Sequence, residues 1–572
     1  MVKELQRKWE SKYPPEISTN IEYPKRTLQS FLKQTAEEYP NHKALYFYGK
    51  EWTYLELYEE SVTFAGQLQD LGVKKGDRVA IMLPNTPQSV ISYYGTLLAG
   101  AVVVQTNPLY MERELLHQMT DSGAKVMICL DLLYPRVMKV KEETQLEHIV
   151  VTKIKDCLPF PKNVLYPLTQ RKSAKVKVDI SYNHFIHSFS SLLKKGSFKE
   201  IEDEVDPVED LALLQYTGGT TGLAKGVMLS HYNLVANTTQ CLSWMYQMEK
   251  GKEKTLAVLP FFHVYGMTVS MNLSVMNGSQ MVILPKFDPK EVLQMIQKHK
   301  ITTFPGAPTM YISLLNHPDL EKFDLSSIKA CISGSSPLPV EVQHQFESVT
   351  GGKLVEGFGL TESSPVTHCN LIWGERKEGS IGLPWPNTDA AILSQESEDF
   401  GEPGEIGELI IRGPQVMKGY WNRPEETAAT FFDEWLKTGD MGYMDEEGFF
   451  YIVDRKKDMI IASGFNIYPR EIEEVLYEHH AVQEAVVIGV PDPYRGETVK
   501  AFIVTKEGMT LTEGELNKYC RENLASYKVP KIYEFRSELP KTMVGKVLRR
   551  VLVEEEKEKR AQAKEKSHQK TS

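Results

Sequence analysis

The chain contains the stretch Tyr216-Thr217-Gly218-Gly219-Thr220-Thr221-Gly222-Leu223-Ala224-Lys225-Gly226, with four glycines, three threonines and one lysine. It follows Leu211-Ala212-Leu213-Leu214, an apolar run that predicts a buried strand. Glycines let backbone N–H groups approach an anion closely, hydroxyls donate hydrogen bonds to its oxygens, and a lysine supplies positive charge. The stretch therefore predicts a polyphosphate-binding loop at the end of a strand.

Two other interpretations of this loop are a Walker loop and a surface turn. A Walker loop requires a glycine, four further residues, and then Gly-Lys-Ser/Thr. Here Lys225 follows Ala224 and precedes Gly226, so that pattern is excluded. On composition alone, a glycine-rich surface turn without a ligand remains the alternative.

The composition is that of a large globular protein. A chain of 572 residues is too long for one compact core and predicts roughly three or four folding units. Its hydrophobic content of 41% and charged content of 25% are ordinary. The formal net charge of −10 argues against nucleic acid as the main partner and against strong adhesion to anionic lipid.

The spacing of the cysteines and the length of the apolar segments indicate the cellular compartment. The six cysteines show no metal-ligand spacing and predict reduced, mostly buried thiols. No apolar core follows the N-terminal residues 1–8, and the mostly apolar residues 91–104 fall short of the roughly 20 that span a membrane. We therefore expect a cytoplasmic protein, and leave open its association with a membrane surface.

Strand-like and helix-like runs alternate through the first ~380 residues, which predicts α/β layers. Predicted strands lie at residues 78–83, 124–130, 255–259, 281–284 and 328–332, and a helix at 89–98. The lysine-rich segment 150–210 predicts a long surface excursion. Short runs between Gly and Pro at about 385–450 predict a small β unit.

The C-terminal part predicts a compact α+β unit. Beyond Lys457 the pattern indicates a Pro-started helix at 469–479, strands at 485–488 and 499–504, and a helix near 512–524. The charged tail 554–572 is typical either of a solvated helix or of a disordered segment.

Five blocks resemble, in the same order, motifs of the adenylate-forming superfamily, which includes acyl-CoA synthetases, luciferases and the adenylation domains of peptide synthetases. The blocks are residues 216–226, Gly357-Phe358-Gly359-Leu360-Thr361-Glu362, Thr438-Gly439-Asp440, residues 454–458, and Pro540-Lys541-Thr542-Met543-Val544-Gly545-Lys546. Residues 260–266 and 464–469 are most similar to bacterial long-chain fatty-acid–CoA ligases.

The resemblance implies a nucleotide site. Its phosphate contacts would be Thr217, Gly218, Gly219, Thr220, Thr221, Gly222 and Lys225, and Glu362 with Thr217 would hold Mg²⁺. Its adenine wall would be Gly334, Ser335, Ser336, Gly357, Phe358, Gly359, Leu360 and Thr361. Phe358 stands where the family usually has tyrosine, and the stacking face is retained.

The resemblance further implies ribose contacts and a catalytic lysine. Asp440 would accept the ribose hydroxyls, Arg455 would lie near the same ribose, and Ile452 would pack beneath the nucleotide. Without the resemblance, Asp440 between glycines is an ordinary turn residue. Lys546 would catalyse the formation of an acyl-adenylate, the first of two half-reactions. Lys457 would be the pivot of an interdomain hinge.

For the acyl group and CoA the resemblance implies His263, Tyr265, Gly266, Met267, Ser463, Gly464 and Phe465. We interpret His263 as substrate-binding rather than as a general base; on sequence alone, a packed core histidine is the alternative. Gly266 is interpreted as leaving space for an alkyl chain, and Met267 as adapting to it. The family usually has proline at Ala224 and a second glycine at Ser463.

The fold implied is α/β, with a large N-terminal domain at residues 1–453 that holds layered α/β subdomains and a small β-barrel-like unit. A hinge at 454–458 would join it to a smaller, mobile α+β domain at 459–572. The catalytic-lysine loop would belong to that mobile domain.

The activity implied is that of an ATP-dependent long-chain fatty-acid–CoA ligase, which forms acyl-adenylate and pyrophosphate and then transfers the acyl group to CoA. Fatty acid, ATP and CoA are the expected partners, with no nucleic acid; weak peripheral membrane contact and a homodimer are left open. The alternatives are medium-chain or aryl acids, loading of a carrier protein in trans, and a luciferase-type oxygenase. Glu362, Asp440, Arg455 and Lys546 together disfavour a non-catalytic binding protein.

Overall fold

The computed structural model describes the chain apart from residues 1–4, 6, 167–177, 195–203, 218–223, 395–396, 398, 463–464, 493–494, 543–546 and 570–572. Its widest sheet has eight strands. In order across the sheet these are Gly419–Tyr420, Lys225–Ser230, Leu211–Thr217, Val102–Gln105, Arg78–Met82, Val126–Leu130, His148–Thr152 and Ile186–Ser188.

Six neighbouring strands of this sheet, from Leu211–Thr217 to Ile186–Ser188, run parallel. Strands such as Val102–Gln105 are buried along their whole length, as expected where helices cover both faces of a parallel sheet. The predicted strands at 78–83, 124–130 and 211–214 and the helix at 89–98 are confirmed within a few residues.

The prediction of a surface excursion over residues 150–210 is wrong at two places. Strands His148–Thr152 and Ile186–Ser188 join the parallel sheet, and the helix Phe189–Lys194 follows the second strand. The β-branched run Ile149-Val150-Val151 is typical of a strand, but the lysines that follow it obscure the pattern. The strand Ile186–Ser188 has only three residues, which are too few to show the alternation of apolar and polar side chains that indicates a strand.

Two four-stranded sheets complete the layered part of the large domain. One has the order Lys254–Ala257, Gln280–Ile283, Lys43–Phe47 and Lys50–Thr53, and the other Ala330–Ser333, Lys353–Gly359, Val366–Cys369 and Leu383–Pro384. The predicted strands at 255–259, 281–284 and 328–332 are among them.

Helices pack against these sheets and bury their apolar faces. Several begin with a side-chain cap or with proline in the first turn, as at Pro87 and Pro289. The longer helices are Leu28–Glu38, Tyr54–Asp70, Pro87–Leu98, Glu112–Ser122, His231–Trp244, Pro289–His299, Pro308–Leu315 and Val340–Thr350. Shorter ones are Tyr134–Val140, Phe189–Lys194, Val264–Gly266, Leu273–Asn277 and Pro424–Thr430.

The small β unit predicted at 385–450 is confirmed as a five-stranded antiparallel sheet. Its strands are Asp389–Leu393, Gly407–Arg412, Trp435–Met444, Phe431–Phe432 and Phe450–Arg455. The last strand ends at Arg455, inside the predicted hinge.

The small domain begins beyond that strand and has hydrophobic cores of its own. Its strands are Phe465–Ile467, Ile460–Ala462, Gly496–Thr505, Val482–Asp492 and Ile532–Phe535, and its helices are Pro469–Glu478, Glu513–Asn523 and Arg549–Gln569. The charged tail is therefore helical through Gln569, the first of the two alternatives. Its start is anchored by fully buried Leu552 and by the ion pair between Lys500 and Glu556.

The structure also bears on the predictions about the cysteines and about membrane-spanning segments. All six cysteines are buried free thiols, as predicted. Within the described ranges, every helix is too short or too polar to cross a lipid bilayer.

Candidate active site

A cavity of about 370 Å³ joins residues from three of the predicted motifs. The residues that line it are Leu360, Glu362, Glu408, Tyr420, Ala429, Thr430, Lys437, Thr438, Gly439, Arg455 and Lys456. The structure therefore places the segments predicted to bind adenine, metal and ribose around one space. The cations Lys437, Arg455 and Lys456 line that space together with the carboxylates Glu362 and Glu408.

The two strands that flank the glycine-rich stretch lie close to the segment that carries Glu362. Thr217 and Lys225 pair with each other at the ends of the antiparallel strands that flank the stretch. The strand Lys225–Ser230 packs against the one-turn helix Thr361–Ser363, which carries Glu362. Gly218, Gly219, Thr220, Thr221 and Gly222 lie outside the described residues, and their phosphate contacts stay predictions.

Glu362 has a partner that sequence reasoning missed. The Tyr420 hydroxyl donates a hydrogen bond to Oε1 of Glu362 at 2.8 Å. Burial, and then the Glu362 carboxylate, raise the pKa of Tyr420 well above its usual value, which keeps the hydroxyl a donor. Lys225 Nζ lies 4.7 Å from the centre of the Tyr420 ring and 2.5 Å from Glu426 Oε2.

The donors around Glu362 fit a divalent cation that is shared with a phosphate. Mg²⁺ takes oxygen ligands and in nucleotide sites is usually held by one or two carboxylates plus substrate phosphates. Tyr420 orients the Glu362 carboxylate by bonding one of its oxygens. A protein-only cage of three or more His, Cys, Asp or Glu is absent from the described part of the chain. Glu362, with the nearby Thr217, therefore fits Mg²⁺ that arrives with a nucleotide.

The first segment of the predicted adenine wall packs against Tyr265. Gly334, Ser335 and Ser336 follow the strand Ala330–Ser333, and a Cβ on Gly334 would lie 2.9 Å from Tyr265 Cζ. The Tyr265 hydroxyl donates to the carbonyl of Ile332 at 2.8 Å. These contacts place Tyr265 behind the wall; direct contact of Tyr265 with substrate stays a prediction.

The other side of the wall is the strand Lys353–Gly359, which carries Gly357, Phe358 and Gly359 and leads into Leu360 and Thr361. The Phe358 ring packs edge-on against buried His368, with ring centres 6.0 Å apart. Leu360 reaches the cavity lining. Stacking of Phe358 on adenine is untested and stays a prediction.

The predicted ribose residues face each other on adjacent strands. Asp440 is directly opposite Arg455, and its Oδ1 lies 3.0 Å from Arg455 Nε. The strand backbone just before Asp440 is held by Glu408, whose Oε1 accepts from the Gly439 N–H at 3.1 Å and whose Oε2 pairs with Lys456 at 2.8 Å. Ile452 packs against the large core rather than lining the cavity, so its contact beneath the nucleotide stays a prediction.

The segment after His263 forms an irregular helix. His263 Nδ1 accepts from the Tyr265 N–H at 3.3 Å and caps the helix Val264–Gly266, which continues as the π-helical segment Met267–Asn272. π-Helical turns occur frequently at functional sites. Met267 is fully buried within this segment.

The interpretation that Gly266 leaves space for an alkyl chain is wrong. A Cβ at Gly266 would lie 2.4 Å from the Pro260 carbonyl oxygen and 2.7 Å from that of Leu259. The glycine therefore permits close packing of helix against backbone, and it opens no channel.

Lys457, the predicted hinge residue, is exposed and follows the strand Phe450–Arg455. Desolvation, and then neighbouring Arg455, lower the Lys457 pKa. Ser463, Gly464 and Lys546 fall outside the described residues, as does the side chain of Phe465. Their roles, and that of Lys457 as a pivot, stay predictions.

Comparison with known proteins gives the family. Residues 32–421 match the family model described as AMP-binding enzyme, and residues 471–546 match AMP-binding enzyme C-terminal domain. The chain is 58% identical over 554 residues to the long-chain-fatty-acid–CoA ligase of Bacillus subtilis (strain 168), covering 97% of this chain and 99% of that protein. It is 40% identical over 556 residues to the enzyme of the same description in Escherichia coli O157:H7, covering 96% and 98%.

The solved structures agree on the fold. ATP-bound MatB from Rhodopseudomonas palustris superposes with a TM-score of 0.81 at 29% identity, covering 92% of this chain and 98% of MatB. The predicted α/β fold with a large N-terminal and a small C-terminal domain is thereby confirmed. With family models matched in both domains and relatives aligned over nearly the whole length, the chain belongs to the AMP-binding enzyme family.

Proposed function

We propose that the protein is an ATP-dependent long-chain-fatty-acid–CoA ligase that forms an acyl-adenylate and then an acyl-CoA. The observation that carries this proposal is the cavity lined by Glu362, by Thr438 and Gly439 of the predicted ribose motif, and by Arg455, which pairs with Asp440. The two long-chain-fatty-acid–CoA ligases aligned over nearly the whole chain supply the substrate class.

In the first half-reaction a carboxylate oxygen attacks the α-phosphorus of ATP, and the bond to pyrophosphate breaks. The step is needed because a carboxylate is a poor acyl donor, whereas AMP is a stabilised leaving group. Arg455, Lys437 and Lys456 line the cavity and stabilise the charge that builds on the phosphates. When bound, Mg²⁺ at Glu362 and Thr217 adds positive charge at the phosphate oxygens.

In the second half-reaction the CoA sulfur attacks the acyl carbonyl carbon, forms the thioester bond and releases AMP. Rotation of the small domain about Lys457 would remove Lys546 from the nucleotide and admit CoA. His263 and Met267 are proposed to border the acyl group, which the irregular helix at this segment supports. Ser463, Gly464 and Phe465 are proposed to border CoA.

The test is a product assay across short, medium, long and aromatic acids, with ATP, Mg²⁺ and CoA. We expect the highest kcat/KM with long-chain acids, and AMP and acyl-CoA in equal amounts. A carrier protein in place of CoA tests the alternative thiol acceptor. A preference for medium-chain or aryl acids, or release of ADP, would contradict the proposal.

A further inference from the structure

An arginine of the small domain is buried against the large domain. Arg470 is the second residue of the helix Pro469–Glu478, and a cation there opposes the helix dipole. Its side chain is nevertheless only 8% exposed. A long cationic side chain is seldom buried in this way without partners that fix its position.

The partners of Arg470 come from both sides of the hinge. Its Nη1 donates to the carbonyl oxygen of Ile452 at 3.0 Å, and its backbone N–H donates to Asp454 Oδ2 at 2.9 Å. Its Nη2 lies 3.6 Å from Glu356 Oε1, and its Nε pairs with Glu474 of its own helix at 3.0 Å. The contacts with Ile452 and Glu356 both reach the large domain, and of these two residues only Glu356 adjoins the predicted adenine wall.

Glu356 connects both segments of the predicted adenine wall. It lies immediately before Gly357 and Phe358 on their strand. Its Oε2 accepts from the backbone N–H of Leu338 at 3.0 Å, two residues beyond Ser336. Glu356 is buried, and burial raises its pKa to about 7 although Arg470 opposes that shift. Its charge therefore depends on Arg470 staying in place.

We propose that Arg470 and Glu356 form a latch through which the position of the small domain controls the nucleotide affinity of the adenine wall. The proposal rests on the function proposed above. Movement that withdraws Arg470 leaves a buried carboxylate without its cation, which is costly, and perturbs the backbone beside Ser336 and Phe358. Because coupling between sites is reciprocal, nucleotide binding in turn favours the docked position of the small domain.

The test is AMP binding by calorimetry to the full chain and to Arg470→Gln, Glu356→Gln and the double variant. We expect each single variant to weaken AMP binding by about 5- to 150-fold, the usual range of such coupling. The double variant should lose less than the two losses combined, because it leaves no unpaired charge. Arg470→Lys should rescue part of the affinity.

Arg521→Gln is the matched control, since Arg521 is exposed and bonds only Asn517 among the described contacts. It should leave AMP affinity unchanged. Unchanged AMP affinity in the Arg470 and Glu356 single variants, or losses that simply add, would overturn the latch.

Half-reaction rates separate a latch from a merely structural contact. In the double variant, the rates of the two half-reactions should fall by different factors, because only one of them uses the docked position of the small domain. The double variant also serves if a single variant fails to fold. An equal change in both rates would overturn the proposal. Failure of the wild type to bind AMP or to form acyl-CoA would instead refute the proposed function.

Discussion

Tyr420 lies outside the motifs that carry the chemistry, yet its hydroxyl fixes the Glu362 carboxylate. A hydrogen bond to a charged group contributes about 1.5–3 kcal/mol. Tyr420→Phe should therefore reduce kcat/KM for adenylation by about 10- to 150-fold and raise the Mg²⁺ concentration needed for half-maximal rate. ATP–pyrophosphate exchange across Mg²⁺ concentrations measures both effects.

Tyr443→Phe is the control for this change, because Tyr443 stacks on Tyr451 away from the cavity. It should leave the Mg²⁺ requirement unaltered. If Tyr420→Phe also leaves that requirement unaltered, Tyr420 does not position the metal ligand.

Lys546 is the residue on which the first half-reaction is predicted to depend. A compact ammonium can contact the attacking carboxylate and an α-phosphate oxygen together. Lys546→Ala should slow adenylation by at least about 10², the scale of one lost electrostatic contact in a transition state. Thioester formation from supplied acyl-adenylate should be spared, and Lys518→Ala, an exposed lysine of the same domain, should change neither rate. Equal slowing of both halves would refute the assignment.

Individual site residues were predictable where the chemistry demands a residue type in a recognisable block. Glu362, Asp440 and Arg455 were predicted in this way; Glu362 and Arg455 line one cavity, and Asp440 pairs with Arg455. Tyr420 was not found, because it reaches Glu362 through the pairing of Gly419–Tyr420 with a strand almost 200 residues earlier in the chain. Gly266 was misread because glycine serves close packing as readily as open space.

At the scale of elements, long apolar runs were predictable and very short strands were not. Arg78–Met82 and Val126–Leu130 were evident from composition. Ile186–Ser188 and Gly419–Tyr420 are too short to display a period of two, and they form because the sheet offers a partner edge.

The predicted hinge at residues 454–458 can be tested with one substitution. The strand Phe450–Arg455 ends where the Lys456 N–H bonds the Gly439 carbonyl, and the chain then turns through Lys457. Proline fixes φ near −65°, so Lys457→Pro should block rotation there. Acyl-adenylate should still form, while thioester formation should be largely lost in single-turnover assays.

Lys457→Ala is the matched control, since it removes the same side chain but leaves the backbone dihedrals free. It should support both half-reactions. Loss of thioester formation in Lys457→Ala, or equal loss of both halves in Lys457→Pro, would show that Lys457 is not the pivot.

At the scale of the whole molecule, buried His368 ties stability to pH. Burial lowers its pKa to about 3. Between that value and about 6.5, the usual pKa, the unfolded chain binds more protons than the folded chain. Stability from this group is therefore complete above about pH 6.5 and is lost as the pH falls, by about 2 kcal/mol at pH 5.

Denaturant unfolding at pH 7.5 and pH 5 measures this loss. His368→Gln should make the difference between the two pH values smaller by about 2 kcal/mol. His184→Gln, at an exposed histidine, should leave the difference as in the wild type. Parallel pH dependence in the wild type and His368→Gln would contradict the prediction.

The division into two domains was visible in the sequence, but their contact was not. The pattern beyond Lys457 predicted the small α+β unit, and its separate cores agree with that. The meeting of Arg470 with Glu356 depends on the orientation of one domain relative to the other. Sequence pattern carries no information on that orientation.

The central claim is that a carboxylate oxygen of the fatty acid becomes bonded to the α-phosphorus of ATP in this cavity. The direct measurement uses a long-chain fatty acid labelled with oxygen-18 in its carboxylate, with mass spectrometry of the AMP and pyrophosphate released during CoA thioester formation. Each AMP should carry one labelled oxygen, and pyrophosphate should carry none. Unlabelled AMP, or label in inorganic phosphate or pyrophosphate, would contradict the account.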